Sequence, residues 1–357
     1  MTTLLFAGGG TAGHVNPLLA TADRVRDRTP DIEVLVLGTR EGLEADLVPE
    51  RGYELLTIEK LPFPRRPDLA AIRFPAGWLR AVRRVRRIIR ERSVTAVVGF
   101  GGYAAAPAYR AAKLEGIPIV IHEANAIPGM ANRLGAKWAA AVGVSYRSTQ
   151  MPRSEFVGMP LRSEITDLDR DALRPQARQS LGLDASRPTM LVTGGSQGAR
   201  SVNRAVVAAA ADIVDAGWQI LHLSGGRQSD FEPAQIDHYT AVEYLREMHL
   251  ALAATDFVVC RAGSLTVAEL GAVGLPAVYV PLPYGNGEQR RNAQDQLDAG
   301  GAVIVKDEEF TPQWIRQELV PMLQDTELVS SMAQRSRATG VRDGADRMAS
   351  MIERVIS

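Results

Sequence analysis

His14 is the residue whose type and position most directly suggest chemistry. It ends a glycine-rich loop, Gly8-Gly9-Gly10-Thr11-Ala12-Gly13-His14, between an apolar run and a helix-like segment. Glycines let a backbone approach a phosphate closely, and an imidazole with a pKa of about 6.5 can accept a proton at neutral pH. His14 is therefore a candidate general base, with a surface or packing histidine as the alternative. The loop contains the pattern GxGxxG at Gly8, Gly10 and Gly13 but not GxxxxGK[ST], and a lone match of this kind is weak, so the pattern alone predicts no particular ligand.

A second candidate lies in the segment Phe257–Pro281, which is predicted to form a strand, a turn, a helix and a strand. The apolar run that opens it is typical of a buried parallel strand. Ser264 is predicted to cap the helix, whose N–H groups and positive dipole end would attract an anionic ligand. Glu269, about one turn further on, can accept hydrogen bonds from a vicinal diol such as ribose. The alternative is an ordinary βαβ unit with a solvated glutamate.

Two further glycine loops and one polar segment also follow apolar runs. They are Gly99-Phe100-Gly101-Gly102-Tyr103, Gly194-Gly195-Ser196-Gln197-Gly198-Ala199-Arg200 and His122-Glu123-Ala124-Asn125. Because both halves of the chain repeat strand, glycine loop and helix, we predict an α/β fold of two Rossmann-like, doubly wound domains facing a cleft. We place the first domain at residues 1–161 and the second at 162–339, with a C-terminal helix of about 340–357 packing back on the first.

The composition indicates a globular chain without an intramolecular disulfide. The 357 residues are 46% hydrophobic and 23% charged, with one cysteine. We see no signal peptide and no uninterrupted apolar span, so we expect a soluble cytosolic protein. Residues 1–161 carry 22 basic and 15 acidic residues, whereas the remainder carries 19 and 26. This asymmetry predicts that the first half meets an anionic surface or ligand, and we predict no nucleic-acid partner.

Residues 61–92 form a basic and apolar segment that offers one such surface. A proline-broken loop, Leu61–Pro67, precedes a predicted helix from Gly77 to Arg92. The apolar stripe of that helix consists of Trp78, Val82, Val85 and Ile89. Such a stripe fits packing on a sheet, with solvated arginines around it. The alternative is contact with anionic lipid. In that case the side chains predicted to contact the membrane are Phe74, Trp78, Leu79, Arg83 and Arg87.

These motifs and their order along the chain closely resemble those of the MurG family of peptidoglycan glycosyltransferases. The resemblance rests on the three glycine loops with HEANAIPG, VGMPLR, GGSQGAR and CRAGSLTVAELGAVGLPAVYVPLPYGNGEQRRNA, and it covers essentially the whole chain. It implies a GT-B fold and an inverting transfer of N-acetylglucosamine from UDP-N-acetylglucosamine. The implied acceptor is the 4-hydroxyl of undecaprenyl-pyrophosphoryl-N-acetylmuramoyl-pentapeptide (lipid I), giving lipid II. It further implies no metal or other cofactor, a peripheral position on the cytoplasmic face of the cell membrane, and other cell-wall and division proteins as candidate partners.

The resemblance also implies roles for individual residues. The residues that it implies as donor contacts in the second domain are Ser196, Leu245, Ser264, Leu265, Thr266, Val267, Ala268, Glu269 and Gln289. Its donor contacts in the first domain and at the domain junction are Thr11, Ala12, Gly13, Asn125 and Arg162. Its acceptor-pyrophosphate contacts are Gly10, Gly13, Gly101, Gly102 and Tyr103. Among these, Leu245 would meet uracil, Glu269 the ribose and Gln289 the N-acetylglucosamine.

For the catalytic base we expect His14, with Glu123 as the second candidate and His122 as a structural residue. The first loop departs from the family pattern at Ala12, where glycine is common, so the backbone there tolerates a methyl group. Glu288 stands where the family has a second glutamine, which leaves the sugar contact of Gln289 open.

Three other functions are open at this point. A related GT-B enzyme acting on a soluble small-molecule acceptor is disfavoured by the basic-apolar segment and the paired glycine loops of the first domain. A non-catalytic sugar-nucleotide-binding subunit of the wall machinery is disfavoured by His14, Glu269 and Gln289. A dinucleotide-binding Rossmann enzyme is the third, and the lone GxGxxG match at Gly8, Gly10 and Gly13 is too weak to favour it.

Overall fold

The computed structural model describes residues 2–64, 69–226 and 231–357, and the chain divides into two compact units. Unit 1 comprises Met1–Arg162 and Arg342–Ser357, and unit 2 comprises Ser163–Val341. Arg65, Arg66 and Pro67 of the predicted proline-broken loop lie outside the described residues. None of the described helices is both long enough and apolar enough to cross a membrane.

Unit 1 is built on a seven-stranded sheet whose paired strands are all parallel. Its strands are β1 Thr2–Ala7, β2 Ile32–Gly38, β3 Glu54–Thr57, β4 Val94–Gly99, β5 Ile119–Glu123, β6 Ala141–Val144 and β7 Ser154–Phe156. The spatial order is β3-β2-β1-β4-β5-β6-β7, so the winding reverses between β1 and β4. Ligands of open α/β sheets bind at such a switch point, outside the carboxyl ends of the strands.

Helices cover both faces of this sheet, which explains why its strands are continuous apolar runs. The helices of unit 1 are α1 Ala12–Arg28, α2 Glu44–Glu50, α3 Leu69–Glu91, α4 Ala105–Glu115, α5 Met130–Gly135 and the last helix of the chain, α17 Gly344–Ile356. In β1, Leu5 belongs to the apolar cluster with α3 and α4, whereas Leu4 and Phe6 belong to the cluster with α1 and α17. Helix α17 buries Met348 and Ile352 in that second cluster.

Unit 2 repeats this plan with a six-stranded parallel sheet. Its strands are β8 Thr189–Thr193, β9 Gln219–Leu223, β10 Tyr239–Val242, β11 Phe257–Cys260, β12 Ala277–Tyr279 and β13 Ala302–Ile304. The order β10-β9-β8-β11-β12-β13 places the switch point between β8 and β11. Its helices are α6 Ser163–Thr166, α7 Arg170–Ser180, α8 Arg200–Ala208, α9 Ala210–Asp215, α10 Met248–Ala254, α11 Ser264–Val273, α12 Glu288–Asn292, α13 Gln294–Ala299, α14 Pro312–Trp314, α15 Val320–Gln324 and α16 Thr326–Ala338, with a π-helical turn at Ile315–Leu319.

Two element boundaries that affect the site of unit 1 differ from the predictions. Helix α1 begins at Ala12, so Gly13 and His14 belong to its first turn rather than to the loop. Strand β5 extends further than expected because it pairs with β6 to its last residue. His122 and Glu123 therefore end the strand instead of following it.

The starts of helices α11 and α3 also differ from the predictions. Gly263, in an extended conformation, is the N-cap of α11 and Ser264 is its first helical residue, so the predicted N-cap at Ser264 is wrong. Helix α3 begins at Leu69, well before the predicted start at Gly77, and continues through Pro75. A proline inside a helix removes one backbone hydrogen bond and crowds the carbonyl of the preceding turn, so local sequence does not predict a helix through Pro75.

Most of the predicted apolar stripe of α3 is buried, whereas some side chains next to it are exposed. Its members Val82, Val85 and Ile89 are buried, as is the neighbouring Ile88. Trp78 is half-buried against the same apolar cluster, and Phe74 stacks on it with ring centroids 6.1 Å apart. Ile72 and Leu79 are exposed. The stripe therefore packs on the sheet, while side chains beside its N-terminal half remain open to contact.

Candidate active site

The first and second glycine loops of unit 1 meet at the switch point, because they follow β1 and β4. A side chain on Gly102 would overlap the carbonyl oxygen of Gly9, and a Cβ on Gly101 would lie 3.2 Å from the His14 ring. Gly101 and Gly102 also have φ values of +88° and +79°, which favour glycine. Glycine is therefore required where the loops touch, and His14 lies against that junction.

The His14 ring is partly buried and held by the loop before it. Its Nδ1 lies 3.3 Å from the Thr11 hydroxyl, and the ring is hydrogen-bonded to the Gly9 backbone. Burial lowers the pKa of His14, while the Gly9 hydrogen bond and the charge of Glu44 oppose that shift. A lowered pKa keeps the imidazole neutral near pH 7, and the neutral form is the one that accepts a proton.

Glu123 is buried, and its carboxylate binds the loop that follows β5. One oxygen accepts from the Asn125 N–H at 2.9 Å, and the other accepts from the Gly129 N–H at 3.0 Å and Asn132 Nδ2 at 2.9 Å. Burial raises the pKa of Glu123, and these hydrogen bonds oppose the shift. The geometry gives Glu123 a role in holding the 124–129 loop, and it disfavours Glu123 as the base because both oxygens already face donors.

His122 lies fully buried next to Glu123 in β5. Its Nε2 is hydrogen-bonded to the Gly158 carbonyl at 3.1 Å and lies 3.2 Å from the Ser145 hydroxyl. Burial lowers the pKa of His122 to about 4, so the ring is neutral at ordinary pH. These contacts are those of a structural histidine.

A pocket of about 250 Å³ joins these polar residues to apolar side chains in unit 1. Its polar and glycine lining includes His14, Gly101, Gly102, Tyr103, Glu123 and Asn125. Its apolar lining includes Leu61, Phe63, Phe74, Trp78, Met130 and Leu134. The Lys60 ammonium lies 5.5 Å above the Tyr103 ring. The pocket therefore suits a ligand that combines a polar or anionic group with an apolar one.

The backbone amide of Gly10 already has a partner within the protein. It donates to Oε2 of the buried Glu44 at 2.7 Å, so its predicted contact with the acceptor pyrophosphate is not open through this amide. The next N–H groups along the chain begin α1, whose N-cap Thr11 makes no side-chain cap hydrogen bond. The first turn of α1, including Gly13, is therefore the better anion contact. Glu44 lies in no recognised motif and was not predicted from the sequence.

The third glycine loop occupies the switch point of unit 2. It follows β8 and packs on the segment after β9, where a Cβ on Gly225 would overlap the Gly198 backbone. The Gly226 N–H donates to the Ser196 carbonyl at 3.1 Å. Ser196 is exposed, and α8 begins only at Arg200. The loop itself therefore holds Ser196 at the surface.

Helix α11 begins at the same switch point, directly after β11. Its N-cap residue, Gly263, has no side chain that could cap the helix, and the positive end of the helix dipole lies at this end. Its first residues are Ser264, Leu265, Thr266, Val267 and Ala268. Glu269 follows and is 7% exposed, so a diol would have to reach a largely desolvated carboxylate. Charge-assisted hydrogen bonds are strong in such surroundings.

The remaining donor candidates of unit 2 lie on loops around this sheet edge. Leu245 lies between β10 and α10, next to Tyr244, which is exposed. Gln289 Oε1 accepts from the Leu282 N–H at 3.0 Å, so the Gln289 amide nitrogen is the group that a sugar can meet. Gln289 and Glu288 line a pocket of about 610 Å³. Among the described residues, no group of three or more His, Cys, Asp or Glu side chains is arranged to hold a metal ion.

Arg261 supports the turn before α11 and was not predicted. Its guanidinium donates to the carbonyls of Val280 and Pro281 at 3.0 and 3.1 Å, and it forms an ion pair with Asp307. It also donates to the Ser201 hydroxyl. These contacts tie the end of β11 to α8, β12 and the segment after β13. A charged residue directly after a buried strand was the available signal.

Comparison with known families defines the class of protein. The model described as "Glycosyltransferase family 28 N-terminal domain" matches residues 4–144, and the model described as "Glycosyltransferase family 28 C-terminal domain" matches residues 189–348. The matched segments contain all three glycine loops, the whole second sheet and every strand of the first sheet except β7, with β1 matched from residue 4 onwards. Two parallel-sheet units of this kind are those of a GT-B glycosyltransferase.

Individual relatives indicate the family within this class to which the chain belongs. A Leifsonia xyli protein named UDP-N-acetylglucosamine--N-acetylmuramyl-(pentapeptide) pyrophosphoryl-undecaprenol N-acetylglucosamine transferase is 56% identical, covering 100% of this chain and 99% of that protein. The protein of the same name from Streptomyces coelicolor is 47% identical, covering 99% and 98%. The crystal structure of Acinetobacter baumannii MurG matches with a TM-score of 0.79 at 28% identity, covering 99% and 100%. The chain belongs to glycosyltransferase family 28 and, within it, to the MurG family.

Proposed function

We propose that this protein transfers N-acetylglucosamine from UDP-N-acetylglucosamine to undecaprenyl-pyrophosphoryl-N-acetylmuramoyl-pentapeptide, converting lipid I to lipid II in peptidoglycan synthesis. The observation that carries the proposal is the position of His14 at the junction of two glycine loops, in a chain that matches transferases named for this reaction over its whole length. The junction combines a neutral base with backbone that can approach a pyrophosphate.

The chemistry is an inverting displacement. The 4-hydroxyl oxygen of N-acetylmuramic acid forms a bond to the anomeric carbon from the face opposite UDP, and the bond between that carbon and the UDP oxygen breaks. The attacking hydroxyl is a weak nucleophile, so His14 takes its proton as the bond forms. A positioned base of this kind contributes on the order of 10²–10⁴-fold.

The leaving diphosphate acquires negative charge, which unit 2 can stabilise. The N-terminus of α11 supplies N–H groups and the positive end of the helix dipole. Ser196 on the third glycine loop adds a hydroxyl at the same switch point. These groups supply charge stabilisation that requires no metal ion.

The donor is assigned mainly to unit 2. The first turns of α11 hold the diphosphate, Glu269 the ribose hydroxyls and the Leu245 backbone the uracil. Gln289 holds the N-acetylglucosamine through its amide nitrogen. The donor contacts that we propose from unit 1 are Thr11, Ala12, Gly13, Asn125 and Arg162.

The acceptor is assigned to unit 1. The first turn of α1 with Gly13, the second loop with Gly101 and Gly102, and Tyr103 surround its pyrophosphate. Lys60 beside the Tyr103 ring adds a cation to this set. The apolar part of the pocket extends from these residues towards exposed apolar side chains of unit 1.

Those apolar side chains support a peripheral position on the cytoplasmic face of the cell membrane. Phe63, Ile72, Leu79 and Met130 are 58%, 76%, 51% and 64% exposed. Arg83 and Arg87 are exposed on α3 and have no acidic partner among the described residues. Exposed apolar side chains next to unpaired arginines suit a surface of anionic lipid.

Product analysis tests the function. The purified chain is incubated with UDP-N-acetylglucosamine and either a short-chain lipid I analogue or a soluble sugar diol, and products are read by mass spectrometry. We expect the lipid-pyrophosphate acceptor alone to gain one N-acetylhexosamine. Transfer to the soluble acceptor at an equal rate would favour a small-molecule glycosyltransferase, and no transfer to either would favour a binding subunit.

A further inference from the structure

Glu44 carries a buried carboxylate against the first glycine loop. It is the first residue of α2 and is 1% exposed. Oε2 accepts from the Gly10 N–H at 2.7 Å, and Oε1 accepts from the Thr39 N–H and hydroxyl at 2.9 and 2.8 Å. Among the described residues, no Lys or Arg forms an ion pair with it. A buried carboxylate needs such hydrogen bonds, because desolvation disfavours its charge.

Three glycines make room for this carboxylate. A Cβ on Gly9, Gly38 or Gly42 would overlap side-chain atoms of Glu44. Gly9 follows β1, Gly38 ends β2 and Gly42 precedes α2, so the chain encloses Glu44 from three segments. Through Gly10 and Thr39, the carboxylate connects the carboxyl ends of the neighbouring strands β1 and β2.

We propose that Glu44 is a positioning residue for the transfer reaction, which fixes the first glycine loop so that His14 is held in place to meet the acceptor hydroxyl. The inference rests on the proposed function, because it takes His14 as the base. The connection between the two residues is short. The His14 ring contacts Gly9 and Thr11, and these two residues flank Gly10, whose N–H Glu44 holds.

The charge of Glu44 also acts on the base. It raises the pKa of His14 against the larger lowering effect of burial. The other ionisable groups around His14 are His122 of β5, and Glu123 and Tyr103, which line the same pocket. Removal of the Glu44 charge therefore lowers the pKa of His14 further and makes it a weaker base.

The test compares Glu44→Gln with Asp46→Asn, a matched control because Asp46 is exposed on the same helix. Glutamine keeps the shape but replaces one acceptor with a donor, which must then face the N–H of Gly10 or of Thr39. We expect a kcat about 10- to 100-fold lower, since small displacements of catalytic groups have effects of this size. We also expect UDP affinity within about twofold of wild type and an acid limb of the kcat–pH profile at lower pH. Asp46→Asn should match wild type in all three measurements.

An NMR titration of the His14 ring gives a measurement that does not depend on turnover. The His14 pKa should fall in Glu44→Gln and stay unchanged in Asp46→Asn, with the signal assigned through His14→Gln. Unchanged His14 pKa and kcat in Glu44→Gln would overturn the proposal. A wild-type chain without transferase activity would instead refute the proposed function, and the titration would still test the contact.

A second variant covers the case in which Glu44→Gln does not fold. Glu44→Asp keeps the charge but is one methylene shorter, so it cannot hold the Gly10 and Thr39 N–H groups together. It should lower kcat while leaving the acid limb near its wild-type pH. Wild-type kcat in a folded Glu44→Asp variant would overturn the positioning role.

Discussion

At the scale of single residues, Glu269 makes the most direct prediction about the donor. A largely buried carboxylate that accepts from ribose hydroxyls makes charge-assisted hydrogen bonds worth roughly 1.5–3 kcal/mol each. Glu269→Ala should therefore weaken UDP binding by about 10- to 100-fold in calorimetry. Glu288→Ala is the control, because Glu288 is only partly buried and lies on another helix. Equal UDP affinity in wild type and Glu269→Ala would remove the ribose assignment.

The residue scale also shows how far the sequence alone could go. The glycine loops could be read from it because glycines after apolar runs have a specific use at a switch point. Glu123 stood next to a strand end and was a reasonable second base. Its actual role depends on donors at Gly129 and Asn132, several residues away, which no local pattern reveals. Glu44 was missed for the same reason, because its partners lie on two different loops.

At the scale of elements, the proposed role of helix α11 predicts how turnover responds to the removal of metal ions. Its N-terminus and the third glycine loop are proposed to stabilise the leaving diphosphate. Turnover should therefore be unchanged by excess EDTA, measured with the enzyme after prolonged dialysis against chelator. Activity that is lost in EDTA and restored by added Mg²⁺ would contradict this assignment of the leaving-group charge.

The buried His122 of strand β5 predicts how the stability of the fold depends on pH. Burial lowers the pKa of His122 to about 4 from an ordinary value of 6.5, so the unfolded chain takes up a proton that the folded chain excludes. The resulting stability is complete above about pH 6.5 and is lost as pH falls towards 4, by roughly 3 kcal/mol in total. Urea unfolding at pH 7 and pH 5 should show a smaller loss on acidification in His122→Gln than in wild type. His249→Gln, a histidine of unit 2, is the control, and equal losses in wild type and His122→Gln would contradict the prediction.

Element types were easier to predict than element ends. The strands were visible as apolar runs because helices cover both faces of each sheet. The end of β5 was missed because pairing with β6 extends it, and the start of α3 was missed because the helix passes through Pro75. These limits are set by tertiary pairing, which local sequence does not contain.

At the scale of the whole molecule, the uneven charge and the exposed apolar side chains of unit 1 predict membrane association. Co-sedimentation with anionic vesicles should fall steeply with salt, since each basic residue near the surface contributes about 1 kcal/mol. The triple variant Leu79→Ser, Arg83→Glu, Arg87→Glu changes exposed side chains only and should release the protein from vesicles. Its turnover of a water-soluble acceptor analogue should stay near wild type.

Zwitterionic vesicles are the control for this measurement, and neither protein should sediment strongly with them. Equal sedimentation of wild type and the triple variant on anionic vesicles would show that this surface does not bind lipid. The half-buried Trp78 is left unchanged in this design, because it packs against the core of unit 1 and its loss would affect folding.

The central claim is that His14 is the base of an inverting N-acetylglucosaminyl transfer. The most direct measurement compares wild type with His14→Ala, using UDP-N-acetylglucosamine and a short-chain lipid I analogue, with UDP affinity measured in parallel. We predict a kcat at least about 10²-fold lower in His14→Ala, because a positioned base is lost, and nearly unchanged donor affinity. A His14→Ala enzyme that keeps wild-type turnover would contradict the account.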